Sequence, residues 1–436
     1  MNYLISTIQH NSLPNKNLLR NMLLFADNHK VERILLYVMP GINKDETLLP
    51  EFTDERIELL YLGKEGKKLN NNLKLHDTAI LASQINPLTG FQMKLHRDYS
   101  YILPSPKIRY LSLPNTGKHP RFLATTGALT HGNYKMHTAQ GRKASLEHEY
   151  GFAYIKVKNS RVFYYHPVMA LKNGNFNYGR ELYKSGKVVD QQPEALILGD
   201  WHTGDTCPRT RKRTMIMLDT LKPKRVVFHD LFNGHSVNHH ERGNNLSRAK
   251  LWQHNMHLLE EEVKQCLDEL NFFAKKYPEI EFLVAESNHD IFLAHYIGGE
   301  NFLEDGCNSV FACKLFVSAM NSEQPILQSA MELVGDVRKN VTFLKEDDEV
   351  RVGGVLISAH GNRGPNGSRG SGQSFSNYNL KQITGHEHSP KIYANGMVIG
   401  TSTHLKLNYT KGPSSWLNAH GLLYSSGKYT LLTIIH

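Results

Sequence analysis

Cysteine is scarce in this sequence: only four occur in 436 residues, and no two of them form a Cys-x-x-Cys pair. So few thiolates argue against a structural zinc site. Cys266 falls on an apolar helical face, where a free thiol packs as a small hydrophobic group. We predict that all four are reduced, in a reducing compartment: Cys207, Cys266, Cys307 and Cys313.

Uninterrupted apolar runs long enough to cross a bilayer are also missing. The first ten residues lack the basic start and the long apolar stretch of a signal peptide. The sequence therefore predicts a cytoplasmic protein without a membrane contact. Neither a phosphate-binding loop nor an internal repeat is evident, since Gly63-Lys64-Glu65-Gly66 is too short for such a loop and indicates a turn.

The composition that remains is typical of a soluble globular protein, with 40% hydrophobic and 21% charged residues. The length allows two or three domains. We predict an α/β fold in three parts. A small α/β domain covers residues 1–90, a basic β-rich segment covers 91–190, and strands, loops and helices alternate over 191–436.

Several individual elements can be predicted from periodicity. Apolar residues at helical spacing predict one helix over Asn15–Asn28 and one long helix over Leu246–Tyr277. A strand is expected at Thr78–Ala82. Two hairpins are expected near the end of the chain, around Ala394–Gly396 and around Ser425–Lys428.

The net charge of +10 is concentrated in one part of the chain. Residues 101–190 carry 14 Lys and Arg against 4 Asp and Glu, whereas residues 191–436 carry 25 against 26. This local excess, with Phe122 and Tyr134 among the basic residues of 118–143, suits the backbone of a nucleic acid. A solvated basic face with ordinary core aromatics is the alternative.

One short apolar run leads directly into residues of metal-ligand type. Ala195–Leu198 predicts a buried strand. Asp200 and His202 follow it at alternate positions, so their side chains point the same way in an extended chain. A carboxylate oxygen and an imidazole nitrogen can then meet one metal ion. The alternative for this pair alone is an aspartate that caps the next helix.

The same pattern recurs four more times down the chain. Each time a strand-like run ends in Asp, Asn or His, which suggests ligands gathered at one edge of a sheet. That edge is where α/β folds place their sites. The positions are Asp230, Asn288-His289-Asp290, His360, and His386 with His388.

As an ordered set, Asp-x-His, Asp, Asn-His-Asp, His-Gly and Gly-His-x-His resembles the calcineurin-like metallophosphoesterase family over roughly Gln191 to His436. Two glycines that are usual in that family are replaced, by His229 before Asp230 and by Ser287 before Asn288. Neither replacement removes a metal-binding residue type. The resemblance implies a two-sheet sandwich flanked by helices over this part of the chain.

The resemblance also implies a division of roles. Asp230 would bridge two metal ions, since a carboxylate has two oxygens. A hydroxide between the ions would attack phosphorus, His289 would stabilise the transition state or protonate the leaving oxygen, and Asp290 would orient His289. Such mixed ligands favour Mn²⁺, Fe or Zn²⁺, and Mg²⁺ is a further alternative. The implied ligands are Asp200, His202 and His388 for the first ion, and Asn288, His360 and His386 for the second.

Candidate substrate contacts are basic residues near these motifs or in the basic segment. The run Arg209–Arg213 follows the first motif and either holds a substrate phosphate or begins a solvated helix. The histidines at 239–240 either touch substrate or are ordinary loop residues. The candidates are Arg211, Arg213, His240, Arg363, Lys118, Arg121, Lys135, Arg142 and Lys143.

Phosphoester chemistry and a polyanion-binding segment together predict a metal-dependent nuclease with DNA as its partner. Within the family, DNA-repair exonucleases and related phage-encoded DNases are the nearest type, and a phage-encoded enzyme would act in the host cytoplasm. The alternative within the same chemistry is a nucleotide phosphodiesterase or a phosphoprotein phosphatase. The alternative of another class is a nucleic-acid-binding scaffold with an inactive metal site. Because the family often dimerises, a homo-oligomer is also open.

Overall fold

The computed structural model describes residues 1–41, 48–63, 66–78, 80–116, 119–238, 244–299, 302–375, 380–407 and 410–435. Within them, strands form the interior of the molecule and most helices pack outside. The strands in chain order are β1 (Asn2–Gln9), β2 (Arg33–Met39), β3 (Ile57–Tyr61), β4 (Lys68–Asn70), β5 (Leu73–Leu75), β6 (Ser100–Leu103), β7 (Tyr110–Leu113), β8 (Arg121–Thr125), β9 (Gly151–Val157), β10 (Phe163–Met169), β11 (Phe176–Tyr178), β12 (Glu181–Lys184), β13 (Lys187–Asp190), β14 (Ala195–Ile197), β15 (Arg225–Phe228), β16 (Glu281–Ala285), β17 (Val341–Leu344), β18 (Arg351–Val352), β19 (Val355–Leu356), β20 (Gln382–Thr384), β21 (Lys391–Tyr393), β22 (Gly396–Val398), β23 (Ala419–Leu423) and β24 (Tyr429–Thr433).

The helices begin and end at recognisable signals. The predicted first helix is confirmed, and it starts after Asn15, whose side chain accepts a hydrogen bond from the Leu18 amide. The helices are α1 (Lys16–Asn28), α2 (Phe91–Lys94), α3 (Ala139–Leu146), α4 (Pro208–Leu221), α5 (Asn245–Gln253), α6 (Leu259–Lys276), α7 (Asp290–Gly298), α8 (Ser309–Met320), α9 (Ile326–Glu332) and α10 (Gly372–Phe375).

Two of the predicted elements need correction, and two hairpins are confirmed. The long helix over Leu246–Tyr277 is two helices, because Asn255 adopts a left-handed φ of 55° and ends α5. The described residues of Thr78–Ala82 form no strand. The hairpins β21–β22 and β23–β24 are present as predicted.

Apart from β11, β12 and β13, which form a separate three-stranded sheet, the strands form two facing layers. One layer is a ten-stranded sheet, in the order β18-β19-β20-β22-β21-β7-β8-β6-β5-β4. The other layer holds a five-stranded sheet, β10-β9-β1-β2-β3, and a six-stranded sheet, β17-β16-β15-β14-β23-β24, which meet where Thr430 of β24 donates a hydrogen bond to the Pro167 carbonyl of β10. One apolar core, drawn from all three sheets, fills the space between the layers.

Most of the longer helices cover the outer faces of the second layer, whereas the short helix α2 packs through Phe91 against the ten-stranded sheet. One cluster packs α1 against the five-stranded sheet through Leu18, Met22 and Phe25. A second cluster packs α4, α6 and α7 against the six-stranded sheet. Strands alternate with helices along much of the chain, and several neighbouring strands pair in parallel. The predicted α/β class is therefore confirmed. No helix in the described parts of the chain is long and apolar enough to cross a membrane.

The two halves of the chain repeat one topology, although no repeat was evident in the sequence. In the five-stranded sheet, β1 pairs in parallel with β2 on one side and antiparallel with β9 of the hairpin β9–β10 on the other. In the six-stranded sheet, β14 has the same relation to β15 and to the hairpin β23–β24. We call residues 2–169 the first half and residues 195–433 the second half.

The ten-stranded sheet contains the same repeat. Its first-half strands, β4-β5-β6-β8-β7, are matched one for one in order and direction by β18-β19-β20-β22-β21. The halves join where β7 pairs antiparallel with β21. Strand pairing therefore crosses both expected boundaries, at residues 90 and 190, because each half contributes strands to both layers.

The antiparallel junction places the equivalent ends of the two halves at opposite edges of the sandwich. Glu149 lies just before β9, at the edge where β1 ends, and it pairs with Lys428, which lies in the turn where β14 begins. We call the edge where β1 and β2 end the first-half edge. The edge where β14 and β15 end is the second-half edge.

Candidate metal centre

The predicted ligands lie together at the second-half edge, on turns that follow the strands. Four of them have a left-handed backbone: φ is 47° at His202, 46° at Asp230, 73° at His386 and 55° at His388. Side chains other than glycine rarely adopt this region, and strain of this kind clusters at functional sites. The surrounding sheets hold these turns in a shape that directs the four side chains inward.

One group consists of Asp200, His202, Asp230 and His388, whose ligand atoms all lie within 4.8 Å of one another. His388 Nε2 is 3.1 Å from Asp200 Oδ2 and 3.1 Å from His202 Nε2. His202 Nε2 is 3.5 Å from Asp230 Oδ2. All four residues are buried, and carboxylate and imidazole groups at this spacing could hold a metal ion.

A second group adjoins the first through Asp230. The Asn288 side-chain oxygen lies 3.0 Å from His360 Nε2 and 2.9 Å from His386 Nδ1. His360 Nε2 is in turn 3.2 Å from Asp230 Oδ2. The seven residues that the sequence predicted as ligands therefore form one continuous cluster, with Asp230 between the two groups.

The cluster fits a cation because its buried carboxylates are only partly satisfied by protein. Oδ1 of Asp200 and Oδ1 of Asp230 have no hydrogen-bond partner in the described residues, although both are buried. Burial alone would raise the pKa of Asp230, but its interactions with the neighbouring His360, His289 and His202 rings hold its pKa well below the usual value. Two buried carboxylates with unused oxygens are a suitable environment for a divalent ion.

Gly385 is required at this site for steric reasons. A Cβ added there would lie 2.1 Å from Asp200 Oδ1, so no other residue fits without displacing the carboxylate. In the predicted Gly-His-x-His motif, Gly385 therefore allows the close approach of the Asp200 carboxylate. His386 and His388 are the candidate ligands that follow it.

Behind the first strand, a buried histidine that sequence reasoning missed holds the Asp200 turn. Nδ1 of His420 accepts a hydrogen bond from the Gly199 amide at 2.9 Å, and its Nε2 lies 2.8 Å from the Thr214 hydroxyl. Burial lowers the pKa of His420 to about 4, so the ring is neutral near pH 7. His420 lies on β23, far along the chain, and no local motif marks it.

His289 lies beside the cluster but is oriented differently from the prediction. Its Nδ1 is 2.5 Å from the Asn233 carbonyl, and its ring packs edge-on against His202. Asp290 instead accepts a hydrogen bond from the Ser287 amide and begins α7, and burial raises its pKa to about 8. The backbone of Asn233 therefore takes the orienting contact that we expected from Asp290, because Asp290 is turned into its own helix start.

A polar cluster under Asn233 also escaped the sequence analysis. The Asn233 side chain donates to Asp205 Oδ2 at 2.9 Å, and His235 Nε2 lies 3.0 Å from the same oxygen. Glu262 accepts hydrogen bonds from the amides of His235 and Ser236. These contacts fix the loop that carries the Asn233 carbonyl. Asp205 lies three residues beyond His202, which is the one local signal that points to it.

The predicted substrate contacts of the second half are mostly engaged with protein. Arg211 forms a bidentate ion pair with Glu269, with nitrogen–oxygen distances of 2.7 and 2.9 Å, and its guanidinium lies over the Phe272 ring. Arg363 pairs with Glu346 at 3.0 Å. Arg213 is exposed on α4. His240 lies outside the described residues.

The basic segment does not form one surface, contrary to expectation. Lys135, Arg142 and Lys143 are exposed at the first-half edge, where the neighbouring Asn133 amide donates to Gln9 at the end of β1. The β7–β8 hairpin lies at the second-half edge instead, where Asn115 bridges Ser414.

Arg121, at the start of β8, donates to the carbonyls of Tyr99 and His96, and it is half-buried. Lys118 lies outside the described residues. The segment is divided because β7 and β8 run the length of the sandwich, so the residues before and after β8 are at different edges.

A groove of about 640 Å³ adjoins the cluster. Phe292 forms one wall, and its ring centroid is 4.9 Å from that of His289. Trp252 forms another wall, stacked on His257 at 3.9 Å and 54% exposed. Arg248 and His295 line the groove with them, and exposed Glu304 lies at its rim. An open aromatic face beside basic groups suits a flat, anionic ligand.

Comparison with known proteins shows a distant relative. The chain is 24% identical over 464 residues to Protein A1 of Escherichia phage T5, and the alignment covers 99% of this chain and 81% of that protein. No family model matches the chain, and no solved structure matches it. Similarity to a phage protein thus extends over the whole chain, including both halves of the repeat.

Proposed function

We propose that this chain is a metal-dependent phosphodiester hydrolase of the calcineurin-like metallophosphoesterase type, and that its substrate is DNA. The observation that carries the proposal is the buried cluster of Asp200, His202, Asp230 and His388, joined through Asp230 to Asn288, His360 and His386. Two carboxylates with unused buried oxygens among five imidazole and amide ligands are a donor set for divalent transition metals.

The family resemblance supplies the roles of the side chains, and their positions in the cluster are compatible with those roles. Asp200, His202 and His388 would hold one ion, Asn288, His360 and His386 a second, and Asp230 lies between them. When bound, two such ions, Mn²⁺ first among the candidates, would neutralise charge on the phosphoryl oxygens and supply a nucleophile at neutral pH.

His289 is the proposed proton donor to the leaving oxygen. Because its Nδ1 donates to the Asn233 carbonyl, Nε2 is the ring nitrogen that remains for this transfer. The Asn233 loop, fixed by Asp205 and Glu262, keeps the ring in this orientation.

The identity of the substrate rests on charge and on one relative. Residues 101–190 carry the whole positive excess of the chain, and a polyanion is the partner that such an excess attracts. The relative is a phage protein, which agrees with the phage-encoded DNases that the motif set resembles. Such an enzyme would act in the cytoplasm of the host cell.

The direct test is incubation of the purified full chain with plasmid DNA and Mn²⁺, with and without EDTA. We expect cleavage that requires the metal and that Asp230→Ala, purified in parallel, does not show. If the protein hydrolyses a nitrophenyl phosphodiester but leaves the plasmid DNA intact, DNA is not its substrate, and a nucleotide phosphodiesterase is favoured. DNA binding without hydrolysis of either compound would favour a scaffold.

The groove beside the cluster is the proposed path of the DNA strand. A base unpaired at the site would stack on the open face of Trp252, and Arg248 would meet a phosphate. Trp252→Ala should weaken binding of single-stranded DNA roughly tenfold, since one stacked base contributes about 1–3 kcal/mol. Hydrolysis of the nitrophenyl diester should not change.

The matched control for this variant is Phe316→Ala, because Phe316 on α8 is similarly exposed (41%) but does not line the groove. Equal loss of DNA binding in both variants would contradict the proposed path. Loss of diester hydrolysis in Trp252→Ala would mean that the tryptophan supports the metal cluster.

A further inference from the structure

We infer that the first half of this chain is a copy of the metal-binding half whose own metal site has been lost, and that the buried side chain of Lys107 takes the place of a ligand there. The inference depends on strand register and not on sequence identity. Five of the seven candidate metal positions of the second half are given counterparts in the first half, from the paired strands and from counting on beyond their ends.

The first strands of the two halves fix three of these counterparts. Both β1–β2 and β14–β15 pair each residue with one thirty positions later, as in Tyr3 with Arg33 and Ala195 with Arg225. Thr7 forms a parallel bridge to Ala128, as Asp200 does to Thr401. The amides of Thr7 and Asp200 donate to Gly127 and Gly400 in the same way. The counterparts of Asp200, His202 and Asp230 are therefore Thr7, Gln9 and Tyr37.

The ten-stranded sheet gives two more counterparts, by counting on from the ends of paired strands. Leu103 pairs with Thr125, which lies two residues before Gly127. In the same way, Thr384 pairs with Val398, which lies two residues before Gly400. Counting on from Leu103 and Thr384 matches Ser105 with His386 and Lys107 with His388.

The junction between the halves has the geometry that a twofold relation requires. Strands β7 and β21, which occupy equivalent places in the two halves, pair with each other in antiparallel. The hairpins match Tyr110 with Ile392, since these residues lie opposite Ala124 and Met397, so the segment from Thr384 to Ile392 is one residue longer than the segment from Leu103 to Tyr110.

The residues at these five positions have lost the capacity to bind a divalent ion. Thr, Gln, Tyr, Ser and Lys replace two carboxylates and three imidazoles, which are the ligand types that such ions prefer. Lys107 is fully buried, and its ammonium donates to the Ala82 carbonyl at 3.0 Å. A buried cation attached to the chain thus lies where a ligand of the metal lies in the other half.

The first-half position is also closed to solvent. Met39, Ala82, Tyr134 and Ala144 form a small apolar cluster over it. The Gln9 side-chain oxygen is held by the Asn133 amide, and burial lowers the pKa of Lys107 to about 8. The corresponding region of the second half contains strained turns and carboxylate oxygens without partners in the described residues, whereas the unpartnered buried atoms of the first-half counterparts, Nε2 of Gln9 and Oγ of Ser105, belong to neutral groups.

The first half supports the structure around the candidate metal centre of the second half. Its strand β7 covers the edge of β21, the strand that follows the ligand His388. The Ser112 hydroxyl donates to the Ser415 carbonyl at 2.6 Å, and the next residue, Trp416, packs against His388. Metal binding belongs to one half and support of a ligand to the other.

The first test measures metal content of the full chain after loading with Mn²⁺ and desalting. If only the second half binds metal, Asp230→Ala should retain less than about a tenth of the wild-type metal, with its circular dichroism spectrum preserved. About one ion per chain left in this folded variant would overturn the inference. Wild-type protein without metal would contradict the proposed function instead, and the second test would then decide the inference alone.

The second test uses lysine acetylation and peptide mass spectrometry on the native and the urea-unfolded chain. Lys107 should be protected at least tenfold in the native chain and modified in the unfolded one. Lys143, exposed on α3 at the same edge, is the control and should react alike in both states. Modification of Lys107 at the rate of Lys143 in the native chain would show that its ammonium is not enclosed, and the inference would fail.

Discussion

The two halves of this molecule share one backbone plan and differ in what lies at the ends of the strands. In the second half, the turns after β14, β15 and β20 carry carboxylates and imidazoles that face one another. In the first half, the equivalent turns carry neutral groups and the buried Lys107. The comparison teaches that the fold supplies a place for chemistry, while a few residues at the strand ends decide whether chemistry occurs there.

Backbone strain separates the halves in the same way. His202, Asp230, His386 and His388 all have left-handed φ values, whereas none of their counterparts appears among the described non-glycine residues with positive φ. Strain that costs about 1–3 kcal/mol per residue persists only where the structure or a bound ligand compensates for it. At these equivalent positions the left-handed backbone occurs only in the second half, where the candidate metal centre lies.

The largest effect that the comparison predicts concerns Asp230 and its counterpart Tyr37. Asp230→Ala removes the carboxylate between the two ligand groups, so it should lose both ions and lower DNA hydrolysis by several orders of magnitude. Tyr37→Phe changes the equivalent position and should leave metal content and turnover within about twofold of wild type. Metal by mass spectrometry and initial rates of plasmid cleavage are the measurements.

Two results would contradict the assignment of metal binding to the second half. A wild-type metal content in Asp230→Ala, with normal activity, would refute the assignment of the bridging carboxylate. A lower metal content in Tyr37→Phe would show that the first half still takes part in metal binding.

A smaller effect is expected at His289, which we assign to the leaving group and not to a metal. His289→Ala should lower turnover roughly 10²–10⁴-fold, the usual contribution of a positioned general acid, while both ions stay bound. The control is His420→Gln, which should instead loosen the Asp200 turn and lower metal affinity, since His420 supports Gly199. Loss of one equivalent of metal from His289→Ala would mean that His289 is a ligand.

Sequence reasoning could identify the candidate ligands because each follows a short apolar run, and the strand ends bring these residues together. It missed the repeat because the two halves share strand register and pairing but not residue types. Thr7 and Asp200, for example, are recognised as equivalent only by their backbone partners. It missed His420 and Asp205 because their roles depend on contacts distant along the chain or on a loop conformation. It treated residues 101–190 as one surface because a charge count does not show that β8 separates Arg121 from Lys135.

The division of the basic segment leads to a weaker, graded prediction about DNA binding. Neutralising Lys135, Arg142 and Lys143 together should weaken binding of long duplex DNA at all sequences. The same change should flatten the salt dependence of binding, by about one unit of slope for each DNA phosphate that the variant no longer neutralises. A short oligonucleotide at the second-half edge should bind as before, and a nitrophenyl diester should be hydrolysed at the wild-type rate.

Arg121→Ala is the comparison variant for this experiment, because its guanidinium is held by two carbonyls of the first half. It should lower stability without changing the salt slope. An equal loss on long DNA and on the small diester in the triple variant would mean that these residues support the fold, and the DNA proposal would lose its charge argument.

The smallest effect is a pH dependence of stability that belongs to the first half alone. Burial lowers the pKa of Lys107 to about 8, against an ordinary value of about 10.4 in the unfolded chain. Between these values the unfolded chain binds more protons than the folded chain, so the free energy of unfolding rises with pH in this window. Lys107→Met lacks the group. The stability of wild type relative to this variant should therefore increase by about 1–3 kcal/mol from pH 7.5 to pH 10.5. Urea unfolding at both pH values measures this difference, and Lys143→Met is the exposed control, whose difference from wild type should stay constant. A constant difference for Lys107→Met as well would show that the amine is not buried as a cation, and the lost site of the first half would then need another explanation for its closure.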